Sequence, residues 1–139
     1  MTIARSQSFP SYCRLKSPLV IRAVLHSPES RRKRFGAFRV VGSMAARDRR
    51  PAHLAGMPRF AFVVSRRAGP AHVRNRIRRR LRESVRTQRE LWPAAMAVIY
   101  ITDSGEAARV SFASLREQVR ESLVWIGNQA HGRIATGSE

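Results

Sequence analysis

Apolar and polar positions follow three rhythms along this chain, and each predicts a different kind of element. Over residues 72–89, Val73, Ile77, Leu81 and Val85 recur at every fourth position, which at about 100° per residue keeps them on one arc of an α-helix. Asn75, Arg79, Arg82 and Arg86 fall on the opposite arc, flanked by Arg76 and Arg78. Trp92 and Pro93 are expected to stop this helix. Residues 14–25 carry a second helical pattern: Ser17 can cap, Pro18 suits the first helical position, and Ile21, Val24 and Leu25 make a short stripe. A third begins at Ser111, with Phe112, Leu115, Val119 and Leu123 as its buried stripe and Arg116, Glu117, Arg120 and Glu121 facing water.

A period of two predicts strands. Residues 35–44 place Phe38 and Val40 on one side of a pleat and Arg39 and Val41 on the other. Residues 59–65 and 96–101 are short, β-branched or aromatic, and apolar on both sides, as expected of interior strands. Strand, helix, strand in that order predicts a βαβ unit with parallel partners. The remainder reads as connection: a turn-rich basic link over 26–33, a loop over 45–58 that a partner would order, and a loop over 103–109. The 139 residues suffice for one domain with a modest core. It is expected over 14–126, behind a basic arm (1–13) in which Phe9 and Tyr12 pack on the domain, and ahead of a flexible tail (127–139).

Charge changes this picture. The net charge of +18 arises in residues 1–82, where 21 Lys or Arg face two acids, Glu29 and Asp48, while residues 83–139 hold six Lys or Arg against seven acids. Residues 72–89 alone hold eight arginines against Glu83. Arg74 with Arg78, Arg76 with Arg80, and Arg78 with Arg82 are like charges at i,i+4, each costing about 0.2–0.5 kcal/mol, and several occupy first turns where the helix dipole prefers anions. A helix that opposes its own formation so strongly points to a partner that supplies negative charge. Guanidinium groups match phosphate oxygens in pairs, so the partner expected is a nucleic-acid backbone.

Catalytic groups are not evident. The four histidines, His26, His53, His72 and His131, are scattered, and Cys13 is alone. That excludes an intramolecular disulfide and a thiolate metal cluster, and fits a reducing cytoplasm. No glycine-rich phosphate loop, nucleophile elbow or zinc-protease motif occurs, and Asp103 and Glu106 lack further carboxylates for a two-metal site. No apolar run approaches the length that spans a bilayer, and the N-terminus lacks the apolar region of a secretory signal.

The run over residues 59–86, RFAFVVSRRAGPAHVRNRIRRRLRESVR, closely resembles the protein component of bacterial ribonuclease P. Arg74, Asn75 and Arg76 match that family's R-N-R motif, Arg79, Arg80 and Arg82 its basic continuation, and Ser65, Arg66 and Arg67 the preceding basic pair. The resemblance extends more faintly over residues 14–25 and 96–125. It implies an α/β fold, an α+β sandwich: a single domain with a small mixed sheet of about four strands, three helices and a βαβ crossover, ribosomal protein S5 domain 2-like. The pattern itself yields three strands, so a fourth would come from residues 36–58 or from a division the pattern hides.

The resemblance also implies a function. The chain would be the RNA-binding subunit of an endonuclease that removes the 5′ leader of precursor tRNA, inactive by itself, with the catalytic RNA and Mg²⁺ cleaving the phosphodiester. The catalytic RNA would meet Arg66, Arg67, Arg74, Asn75, Arg76, Arg78, Arg79, Arg80, Arg82 and Arg86. The leader would lie in a cleft lined by Ile21, Leu25, Phe60, Phe62 and Val64, without stacking at position 21, where the family usually offers phenylalanine. No protein catalytic residue, protein-bound metal, organic cofactor, membrane or DNA partner is implied. A structural RNA binder such as a ribosomal protein shares the charge and size but not the ordered R-N-R context. A major-groove DNA reader would need a tight helix-turn-helix pair.

Overall fold

Local signals set where the helices begin. In the computed structural model, which describes residues 9–44, 54 and 56–136 with side chains to 129, Ser17 Oγ accepts from the Val20 N–H at 3.3 Å and Pro18 opens helix α1 (Pro18–His26). Residues 14–17, ahead of the first helical position, are extended: Arg14 bridges Phe60, and the Leu15 N–H donates to the Phe60 carbonyl at 2.8 Å. Ser111 Oγ accepts from the Ser114 N–H and opens the last helix, α4 (Phe112–Thr136). It extends to Thr136, into the region expected to be a flexible tail.

The sheet contains four strands: β1 (Arg31–Phe35), β2 (Phe38–Ser43), β3 (Arg59–Val64) and β4 (Ala97–Thr102), in the order β1-β2-β4-β3. β1 with β2 and β2 with β4 are antiparallel, whereas β3 with β4 is parallel. Helix α2 (Ala71–Arg86) joins β3 to β4, so the βαβ unit is as the pattern predicts. The fourth strand, β1, falls on the stretch read as a basic link. The single strand expected over 35–44 is cut by a tight turn at Gly36, whose φ of +57° suits the first central position of a two-residue hairpin. Four consecutive cations conceal β1 from an alternation test, yet an edge strand tolerates them because charge there prevents further pairing.

β3 was expected in the interior and lies at the other edge. Its two apolar faces arise from layers on both sides, not from two strand neighbours. On one face Phe38, Val40, Phe60, Val64, Val98 and Tyr100 pack against Ile77, Leu81 and Val85 of α2 and Leu115, Val119, Leu123 and Ile126 of α4. On the other, Val41, Ala61, Ala97 and Ile99 pack against Leu15 and Val24, with Ile21 and Leu25 at the margin. Phe112 stays 39 % exposed in the first turn of α4, so the stripe meeting the sheet starts at Leu115. A four-residue helix, α3 (Glu106–Arg109), occupies part of the expected 103–109 loop. Most of the 45–58 loop lies outside the described residues.

Candidate nucleic-acid interface

α2 is held by its apolar spine: Ile77, Leu81 and Val85 are fully buried and Val73 half-buried, as their spacing predicts. The helix ends at Arg86, short of Trp92. Trp92 instead packs on Phe9 and Phe60 and donates its indole N–H to the Val85 carbonyl at 2.9 Å. Fixing the spine against the core fixes what the opposite arc displays. No side chain caps the N-terminus and no acid occupies the first turn, so the unfavourable local electrostatics read from the sequence persist in the fold.

The arginines divide into two groups. Arg80 turns back toward the chain and donates to the carbonyls of Ala107, at 2.6 Å, and Val110, while Arg76 Nε reaches the Ala108 carbonyl at 3.2 Å. Burial, then the neighbouring Arg76, lowers the pKa of Arg80. Arg86 is neutralised by Glu83 one turn away, and their hydrogen bond pulls the Glu83 carboxyl below and the Arg86 guanidinium above their ordinary values. Arg76, Arg80 and Arg86 were among the residues expected to meet the catalytic RNA; in the structure each has a partner within the chain, because α3 and Glu83 lie within reach of their side chains.

The other group faces outward. Arg66 and Arg67, in a single 3₁₀ turn after β3, are exposed, as are Asn75 and Arg79; Arg74, Arg78 and Arg82 are half-exposed. Asn75 Oδ1 accepts from Arg78 at 2.9 Å and orients that guanidinium. The pKa of Arg82 is lowered by partial burial, then by the fields of Arg14 and Arg78. Arg14, which the sequence pattern passed over, therefore joins this positive field from the segment before α1. No periodicity marks it, because pairing with Phe60 brings it there. Among the described residues Glu83 and Glu117 pair with Arg86 and Arg120 and no carboxylate pairs with α2's outward arginines, which keep their charge unneutralised.

The five residues expected to line one cleft do not come together. Ile21 and Leu25 lie on the α1 face, whereas Phe60, Phe62 and Val64 point to the opposite, α2-side face. There Phe60 and Phe62 meet Phe9 edge to face, and Phe62 stacks on Tyr100 at 5.7 Å. Alternation forces this: once Ala61 and Val63 face α1, their neighbours cannot. The partly open floor beside Ile21 and Leu25 is Val63, Ile101 and the exposed Arg39, which share one row of the sheet register. Among the described residues no three His, Cys, Asp or Glu side chains gather as a metal site, and no helix is long and apolar enough to cross a membrane.

A small α+β domain that presents a rigid helix whose outward arginines are left unneutralised is a polyanion binder by charge and geometry. The family model for Ribonuclease P matches residues 9–126. Over 111 residues the chain is 35 % identical to the ribonuclease P protein component of Symbiobacterium thermophilum, covering 78 % of this chain and 85 % of that one. Over 106 residues it is 38 % identical to that of Acidothermus cellulolyticus, covering 76 % and 81 %. The fold matches the ribonuclease P protein of Thermotoga maritima with a TM-score of 0.64 at 23 % identity, covering 80 % and 94 %, and that of Staphylococcus aureus at 0.61 and 18 %, covering 82 % and 94 %. The chain belongs to the ribonuclease P protein family: it is a protein subunit of that endoribonuclease, a ribonucleoprotein of tRNA processing with an RNA partner.

Proposed function

We propose that α2 and the turn before it bind the catalytic RNA, and that the α1 face of the sheet holds the 5′ leader of precursor tRNA. The observation that carries the first part is the set of unneutralised guanidinium groups on one rigid arc. Arg66, Arg67, Arg74, Arg78, Arg79 and Arg82, with Arg14 beside them, meet phosphates; Asn75 positions Arg78. For the leader, Ile21 and Leu25 with Val63 and Ile101 form an apolar strip bordered by Arg39, which suits bases laid on a surface with the backbone at a cationic edge. Phe60, Phe62 and Val64 contribute from beneath, as packing.

Phosphodiester cleavage is assigned to the RNA with its Mg²⁺. The protein's part in this reading is binding and orientation.

Reconstitution with the partner RNA tests this. The chain alone is expected not to cut precursor tRNA, and to speed leader release by the RNA at low Mg²⁺. Arg79→Ala with Arg82→Ala should weaken RNA binding and reduce its salt slope by about one unit per lost phosphate contact. If affinity and slope are both unchanged, α2 is not the RNA-binding element.

A further inference from the structure

Neither α2 nor the α1 face accounts for the cations of β1. β1 closes the sheet at the edge away from β3, three strand spacings or roughly 14 Å across, whereas α2 packs near β3. The two cationic features therefore lie at opposite edges. Arg31, Arg32, Lys33 and Arg34 are all exposed, and among the described residues none pairs with a carboxylate. Protection of a free edge against aggregation explains charge of this kind. It does not explain the aromatic groups beside it.

Lys33 Nζ lies 5.2 Å from the ring centre of Phe35 and 5.9 Å from that of Trp125, and the two rings meet edge to face at 5.8 Å. Trp125 is half-buried and borders two open hollows. One, of about 570 Å³, is lined by His26, Ser30, Arg31, Arg32 and Gln129 among others; the second, of about 630 Å³, by Lys33, Arg34, Phe35, Glu121 and Asn128 among others. Each hollow thus has one face of aromatic surface and a cationic rim from β1.

We propose that this edge is a second RNA-binding surface, which takes single-stranded RNA with bases against Trp125 and phosphates on Arg31 and Arg34. Single strands are held by an aromatic platform beside a cationic track, and both are present here. An acidic peptide added as a fifth strand is the competing occupant. Arg32 Nη2 reaches from β1 to the carbonyls of Leu25, at 3.2 Å, and Ser27, at 3.5 Å, so the end of α1 flanks this edge and crowds an added strand. Such a peptide would also leave the Trp125 hollows unused. The surface is separate from α2 but adjoins the α1 face, since Arg34 is the cross-strand partner of Arg39; crosslinks at Trp125 or Phe35, on the α4 side, distinguish it from the leader strip proposed above.

The experiment uses the full chain and a short oligouridylate carrying 4-thiouridine, with photocrosslinks mapped by mass spectrometry. Crosslinks are expected at Trp125 or Phe35. Arg31→Gln with Arg34→Gln, both at exposed positions, should weaken them about fivefold and lower the salt slope by roughly 0.7 per lost contact. Arg79→Ala with Arg82→Ala should leave them in place. The proposal is overturned by the absence of crosslinks there, by crosslinks indifferent to the β1 double change, or by an oligoglutamate of equal length that displaces the RNA at lower concentration.

Discussion

Two arginines one residue apart on α2 do different work. Arg79 is exposed, whereas Arg80 secures the turn after α3 through the Ala107 and Val110 carbonyls. Hydrogen bonds from a charged group are worth about 1.5–3 kcal/mol. Arg80→Met is therefore expected to lower stability by about 2 kcal/mol in denaturant titration while leaving the salt slope of RNA binding alone, and Arg79→Ala to do the reverse. Equal effects of the two substitutions would refute this division. Tyr100 provides a second residue-scale test. Burial pushes its phenol well above the usual value, partly offset by the hydrogen bond with Ser122 at 2.9 Å. A raised folded-state value favours the protonated form, so its contribution is complete below about pH 10 and declines as pH rises above that. Tyr100→Phe should flatten the alkaline fall in stability; an unchanged slope would exclude Tyr100 as its source.

At the scale of elements, the β1–β2 hairpin and α4 depend on one another at Gly36. The Ala37 N–H donates to Gln118 Oε1 at 3.1 Å, and a Cβ on Gly36 would run into the same amide. Gly36 also holds a φ of +57°, a region costly for residues with a Cβ. Gly36→Ala should destabilise the fold by about 1–2 kcal/mol, measurable as a lower denaturation midpoint; a neutral result would mean that the turn and α4 can move apart freely. For α1 the corresponding device is Ser17. Ser17→Ala should cost about 1 kcal/mol by loss of the cap, and should loosen the α1 face where the leader is proposed to lie.

Taken whole, the molecule confines opposite demands to different surfaces. The apolar layers on both sides of the sheet hold α2 in place, and that fixed support lets like charges remain close together on its outer arc. Self-repulsion of this kind destabilises a compact chain and is relieved by counterions, while a ligand that binds only the folded state adds stability by mass action. The thermal midpoint of the free chain should therefore rise with added salt and rise further with RNA at equal ionic strength. A midpoint indifferent to both would show that the clustered charges are neither strained nor partnered.

The sequence by itself determined the helix of arginines, its buried spine, the caps at Ser17 and Ser111, the βαβ order and the family, because each is written in local spacing or in an ordered run of residues. It also showed that alternate residues of β3 must face opposite ways. Only the tertiary structure decided which way: the packing of α1 on Ala61 and Ile99 sends Phe60, Phe62 and Val64 into the α2-side core. It alone revealed β1, whose cations carry no hydrophobic signal and whose strand state comes from pairing with β2. The diversion of Arg80 and Arg86 to internal partners and the arrival of Arg14 beside Arg82 likewise depend on neighbours distant in sequence or on side-chain reach. Periodicity reports which face of an element is buried, whereas the partner each charged group meets is set by how the elements come together.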